Sequence, residues 1–155
     1  DGSLFVFGCN AFGQLGLGTV VGNHAIPMPC QIVKSFNPIN LLWNSFCKKN
    51  NHIFGWGRAD YGQLGLGDDI VKQGYACQPN RISSLDGVTQ MMCGAEHNIA
   101  LLDNGKVLTW GWNEHGICGS EDEQNVHKPR FVHEERDVAL VGCGGGHTFI
   151  LLKSR

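Results

Sequence analysis

The residues of this 155-residue chain that are able to do chemistry fall into four groups. There are seven cysteines (Cys9, Cys30, Cys47, Cys77, Cys93, Cys118, Cys143) and seven histidines (His24, His52, His97, His115, His127, His133, His147). Acidic runs stand at Asp68-Asp69, Glu121-Asp122-Glu123 and Glu134-Glu135, and glycine-rich runs at Gly13 to Gly18 and Val141 to His147. The run GQLGLG would cradle a phosphate only with dinucleotide-type or P-loop spacing. Its glycines are spaced G-x-x-G-x-G, no G-K-[ST] follows, and it recurs at Gly62 to Gly67. VGCGGGH could form an oxyanion hole, but no G-x-S-x-G nucleophile accompanies it. The cysteines form no C-x-x-C pair, which removes zinc knuckles and redox dithiols; an odd, scattered set reads as reduced intracellular thiols. No H-E-x-x-H is present, and charge runs of this kind are usually solvated loop residues. No covalent catalysis is expected, and no metal and no cofactor.

The elements that must position these residues repeat. Phe7 to Gly18 reads FGCNAFGQLGLG and Trp56 to Gly67 reads WGRADYGQLGLG, an ungapped offset of 49. Trp110 to Gly119 reads WGWNEHGICG, 54 residues further on. A second block, MMCGAEHNIALL (Met91 to Leu102), recurs 50 residues later as LVGCGGGHTFILL (Leu140 to Leu152). A proline follows each glycine turn, at Pro29, Pro79 and Pro129. Periods of this length indicate a propeller, solenoid or array. The units run approximately 3–51, 52–105 and 106–155 within a single partial domain, 1–155. In the first unit the C-G-x-x-H block falls on Ile39 to Trp43, where Asn40 and Trp43 replace the glycine and histidine. A ring of repeat histidines holding a metal is broken there. Asn37 to Asn51 is expected to be the least regular segment, with strands across Ile39 to Cys47 and Trp43 packed inward.

Within each unit the pattern is β. His97 to Leu102 and Lys106 to Trp112 flank Asp103-Asn104-Gly105, and Asn-Gly between two such runs predicts a tight primed hairpin turn in which both residues take positive φ. Asn50-Asn51 and Asp1-Gly2 occupy the same place, so the chain is expected to begin inside a hairpin turn. With two strands after each glycine turn, four short antiparallel strands form each unit, which is a propeller blade. The structural repeat residues are then Gly13, Gly16, Gly62, Gly65, Gly116 and Gly119 in the turns, Gly94 and Gly144 in the second block, and Trp56 and Trp110. The aromatics, Phe7 included, are expected between adjacent blades, with Leu15 and Leu17 turned inward. His97 and His147 are expected to hydrogen-bond their own blade turns.

Composition agrees. Glycine at 22 of 155 residues without a Gly-X-Y period means many turns. Hydrophobic residues at 42% exclude disorder, and a net charge of −2 lacks the basic excess of a nucleic-acid binder. No run of about 18 apolar residues suggests membrane insertion.

The combination of G-Q-L-G at Gly13 to Gly16 and Gly62 to Gly65, the Trp-Gly pairs, and C-G-x-x-H at Cys93 to His97 and Cys143 to His147 resembles the regulator-of-chromosome-condensation family. GRADYGQLG (Gly57 to Gly65) and WGWNEHG (Trp110 to Gly116) are most similar to its secretion-regulating guanine nucleotide exchange factor branch. The resemblance implies about three blades of a propeller that usually closes with seven. The remaining blades are expected from a longer chain of which this is the C-terminal part, or from self-association. It implies binding to a small GTPase with stimulated nucleotide release, or a non-catalytic interaction scaffold in secretion-linked or ubiquitin-linked complexes, in the cytoplasm and also the nucleus. In the Ran exchange factor, acids at the position before the repeat histidine act on the GTPase. Carried over, that position is Glu96; Gly146 and Leu42 stand in its place in the other units. Glu96, His97 and His147 are therefore the candidate partner-binding residues.

Overall fold

A computed structural model of the chain describes residues 3–34, 37–41, 43–133 and 137–154. Asp1, Gly2, Leu42, Glu134 and Glu135, which carry expectations above, lie outside them. Twelve strands are described. β1 (Ser3–Gly8) and β2 (His24–Lys34) form a pair. β3 (Asn37–Leu41), β4 (Asn44–Lys49), β5 (His52–Arg58) and β6 (Tyr75–Arg81) form one four-stranded sheet. β7 (Val88–Cys93), β8 (His97–Leu102), β9 (Val107–Gly111) and β10 (Val126–His133) form the next, in sequential order. β11 (Val138–Cys143) and β12 (Thr148–Leu152) form a second pair. Every pairing is antiparallel, and apart from a short helix at Asp68–Gln73 and two 3-10 turns the described fold is all-β: two complete propeller sheets flanked by two halves. The sheets straddle the sequence period, because its boundaries at Asn50-Asn51 and Gly105 fall inside the β4–β5 and β8–β9 hairpins.

One of those hairpins has the expected turn chemistry and the other does not. Asn50 and Asn51 both take positive φ, 48° and 66°, in a two-residue primed loop between the paired Lys49 and His52. At Asn104-Gly105 only Gly105 does so, at 84°. Leu102 and Lys106 flank a three-residue loop in which the Gly105 N–H donates to the Leu102 carbonyl at 3.0 Å and the Lys106 N–H to Asn104 Oδ1 at 3.0 Å. The extra residue, Asp103, changes the loop length and with it the turn, to a type I turn closed by a glycine bulge.

The cores lie between sheets, because each four-stranded sheet buries both faces against neighbours. Phe46, Ile53 and Leu85 meet Ala100, Leu108 and Trp110. Ile99, Leu101 and Val107 meet Val138 and Val141, and Leu4 and Val6 meet Cys47 and Trp56. Trp56 and Trp110 therefore sit between blades as expected; Phe7 does not, and is 63% exposed. Each buried indole caps the preceding glycine turn: Trp56 Nε1 donates to the Gln14 carbonyl at 2.9 Å and Trp110 Nε1 to the Gln63 carbonyl at 3.0 Å. The glycine in each turn is needed for that approach. Gly65 has φ 69°, and a Cβ there would lie 2.9 Å from Pro129 and 3.1 Å from Trp110.

Among the described residues of 39–47, β3 and β4 do form, but Trp43 between them does not pack inward. It is 46% exposed and meets Phe12 edge-on, ring centroids 6.2 Å apart. Asn44 to Cys47 are themselves buried and Phe46 fills the core, so no inward site is left for it.

Candidate partner-binding site

Glu96 lies in the turn between β7 and β8, with its side chain held across to the neighbouring sheet. Its Oε1 accepts from Arg58 Nη1 at 2.8 Å and its Oε2 from Gln63 Nε2 at 3.0 Å. Arg58, the last residue of β5, also donates from Nη2 to Asp60 Oδ2 at 2.8 Å, and Gln63 donates to Asp60 Oδ1 at 3.1 Å. The guanidinium lies 5.3 Å from the Phe12 ring centroid and 5.1 Å from that of Tyr61, within cation–π range of both. With Trp43 against Phe12, the cluster runs from the first glycine turn through the second to the β7–β8 turn. It presents two carboxylates, one guanidinium and three aromatic rings.

Burial sets its electrostatics. Glu96 is pushed above its ordinary carboxyl range first by desolvation, the Arg58 charge pulling it back in part and Asp60 adding repulsion. Desolvation works against the Arg58 charge, but the Asp60 hydrogen bond and the Glu96 and Asp60 charges more than offset it. Glu96 is thus not a solvated turn residue: both of its oxygens have protein partners, and the net −1 of the cluster faces solvent mainly through Asp60.

His97 behaves differently. It is 1% exposed, and its ring reaches the next blade rather than its own turn, Nε2 lying 3.0 Å from Thr148 Oγ1. Thr148 donates its hydroxyl hydrogen to the Ile117 carbonyl at 2.7 Å, so its oxygen accepts and Nε2 carries the imidazole proton. Nδ1 is buried without a partner. Burial lowers the His97 pKa, and the ring is neutral. The own-turn bond is made by the backbone instead, Gly94 N–H to the His97 carbonyl at 2.8 Å, repeated from Gly144 to His147 at 2.9 Å. A Cβ at Gly94 or Gly144 would overlap the following histidine ring, which accounts for C-G-x-x-H. This burial leaves His97 no surface to offer a partner. His147 is exposed and lines a cavity of about 450 Å³ beside Ile117.

All seven cysteines are free, and burial pushes the Cys47 and Cys118 thiols up to about 12. Among the described residues no group of three His, Cys, Asp or Glu side chains is placed to hold a metal, and no helix is long and apolar enough to cross a membrane.

Sequence reasoning singled out Glu96 but not Arg58, Asp60 and the aromatic rings that surround it. A signal was there. Arg58 stands where the other units have Cys9 and Trp112, and Glu96 where the third has Gly146, so two departures from the repeat carry opposite charges.

The family model described as "Regulator of chromosome condensation (RCC1) repeat" matches residues 1–40, 50–101 and 104–151, and a second model of that repeat matches 88–117. Residues 41–49, the longer internal stretch left unmatched, overlap the end of the place where the first C-G-x-x-H block is missing. The chain is 34% identical to the secretion-regulating guanine nucleotide exchange factor of Mus musculus over 95% of its length, covering 36% of that protein. It is also 34% identical to the probable E3 ubiquitin-protein ligase HERC4 of Homo sapiens over 97% of its length, covering 15% of that protein. Among solved structures it resembles Prp20p of Saccharomyces cerevisiae with a TM-score of 0.80 at 20% identity, over 94% of this chain and 38% of that one. Human WBSCR16 gives 0.80 at 25% identity, over 99% and 41%.

Proposed function

This chain belongs to the regulator of chromosome condensation (RCC1) repeat family, and on that premise we propose that it forms part of a propeller rim that engages a small GTPase and promotes release of its bound nucleotide. The observation that carries the reading is the 34% identity, over nearly the whole chain, to a guanine nucleotide exchange factor of which it spans about a third. In this reading the chain performs no covalent step. The rim binds the nucleotide-free GTPase more tightly than the loaded form, and that difference alone drives release. Glu96 is the acid that engages the phosphate–Mg²⁺ region of the partner. Arg58 and Gln63 hold its carboxylate in place beforehand, and Trp43, Phe12 and Tyr61 provide the adjoining apolar contact.

A second reading is an interaction scaffold, favoured by the equal identity to a probable ubiquitin ligase. The same cluster then serves as a docking surface without stimulating anything. Release of a fluorescent guanine nucleotide from a panel of small GTPases, run with the intact protein that carries this chain, separates the two. Stimulation that Glu96→Gln removes supports exchange. Stable complex formation with unaltered release supports the scaffold.

A further inference from the structure

Asn113 ties the loop between β9 and β10 to the third glycine turn. The side chain is fully buried, and its Oδ1 accepts from the Cys118 N–H at 2.8 Å. Its Nδ2 donates to Ser120 Oγ at 2.6 Å and to the Asp122 and Gln124 carbonyls at 2.8 and 3.0 Å. The Asn113 N–H donates to Asn125 Oδ1 at 3.1 Å, and Ser120 Oγ to the Asp122 carbonyl at 2.9 Å. Among the described residues no turn or loop hydrogen bond between backbone groups reaches 120–125. The loop hangs on one side chain and one hydroxyl.

That hydroxyl departs from the repeat. With Trp56 aligned on Trp110, Leu17 and Leu66 stand in the place of Ser120, and Gly18 and Gly67 in the place of Glu121. Leu66 packs against the inter-sheet core. The third unit thus exchanges an apolar plug and a glycine for a serine followed by three acids, Glu121, Asp122 and Glu123, all exposed.

A hydroxyl with acids one to three positions after it suits a kinase whose substrate groove is basic, because each carboxylate can take a charge-assisted bond there. Among the described residues two hydroxyls have an acid three positions on: Ser83, with Asp86, and Ser120, with Glu123. The fold separates them. Beside Ser83, Ile82 and Leu85 are 3% and 0% exposed, and Asp86 is already held by His52 and Arg81. A kinase takes its substrate as an extended segment, and drawing that one out would empty the core and break both ion pairs. Around Ser120, itself half-buried, Gly119 and residues 121–124 are exposed.

We propose that Ser120 is a phosphorylation site for an acidophilic serine/threonine kinase, and that the phosphate frees the loop 120–125 from the third glycine turn. In the transfer Ser120 Oγ bonds to the γ-phosphorus of ATP and the bond from that phosphorus to its bridging oxygen breaks. ADP leaves with the electron pair, and the hydroxyl proton passes to a base of the kinase. The product no longer donates to the Asp122 carbonyl, and it sets about 1.5–2 negative charges beside three carboxylates. A phosphoryl group has no room between Asn113 Nδ2 and that carbonyl, which lie 2.6 and 2.9 Å from the oxygen. Asn113 then keeps Cys118 and releases the loop. The loop stands on the rim that carries Glu96, the Trp112 N–H donating to the Glu96 carbonyl at 2.9 Å, so the modification reshapes that face whichever partner it binds.

The folded, intact protein that carries this chain is incubated with casein kinase II and labelled ATP, and the phosphate is mapped by peptide mass spectrometry. Ser120 gains phosphate and Ser83 does not. Glu123→Gln lowers kcat/KM at Ser120 about tenfold, the worth of one charge-assisted contact. Hydrogen exchange across 113–125 becomes faster in the phosphorylated protein, while that of β8 is unchanged. No phosphate on Ser120 of the folded protein overturns the site, even where a synthetic peptide of 115–127 accepts it. So does transfer that Glu123→Gln leaves at the wild-type rate. Phosphate on Ser120 with unchanged exchange overturns the release of the loop.

Discussion

Arg58 and Glu96, 38 residues apart in the chain and on neighbouring sheets, meet at 2.8 Å between two aromatic rings. Each replaces an uncharged residue found at its position in another repeat unit. The pair therefore departs from the repeat pattern at both positions, and it ties two neighbouring sheets together at the residue proposed above to engage a partner.

Breaking the pair from either side should weaken the blade junction. Arg58→Met is expected to cost about 2 kcal/mol, since it strips the half-buried Glu96 carboxylate of its counter-charge, whereas Glu96→Gln loses a charge-assisted bond together with the carboxylate's burial cost and should change stability by less than about 1 kcal/mol. The double variant should cost less than the sum, a coupling of about 0.5–1 kcal/mol in urea unfolding. Strict additivity would mean that the two side chains do not interact in solution.

His97 gives the fold a pH response. Its folded-state pKa lies below the ordinary 6.5, so the unfolded chain binds more protons than the folded one in the window beneath that value. Stability should fall as pH drops through 6.5 toward the folded pKa. Glu96, whose pKa is raised above 4.5, has the opposite sign: its contribution is lost as pH rises from 4.5 to the raised value. His97→Gln should flatten the loss just below pH 6.5 while leaving the Glu96 slope. An unchanged melting-temperature profile in that variant would remove His97 as the source.

Three glycines should rank by what a Cβ would meet. Gly65→Ala combines positive φ with a clash on Pro129 and Trp110 and should cost upward of about 2 kcal/mol. Gly116→Ala has the same φ problem with open space around it, and about 1 kcal/mol is expected. Gly146→Ala has neither and should lie within about 0.5 kcal/mol of wild type. Chemical denaturation midpoints in any other order would contradict the turn geometry.

The thiols should sort by burial. Cys9 is exposed, whereas Cys47 and Cys118 are buried with pKa values pushed up to about 12. Brief alkylation near neutral pH, read by peptide mass spectrometry, should label Cys9 first and reach Cys47 and Cys118 only on unfolding. Early modification of Cys118 would show that its core opens.

The repeat units, the glycine turns and the Trp56 and Trp110 anchors could be read directly from the residues, because a reversal at positive φ and an aromatic beside it are local demands that recur with every copy. The hairpin at Asn104-Gly105 was only partly legible: the dipeptide marks a turn, but whether Asp103 joins the loop depends on the register of β8 against β9. The half-sheets likewise escape a reading by period, since a repeat can be cut anywhere but a sheet must be cut between hydrogen-bonded strands. The site depended most on tertiary structure. Glu96 stands out in the sequence by its place before the repeat histidine and Arg58 by its departure from the repeat, but nothing along the chain pairs them with each other, or His97 with Thr148, 51 residues apart. Only the stacking of one sheet on the next brings these side chains within hydrogen-bond reach and excludes the water that would otherwise separate their charges.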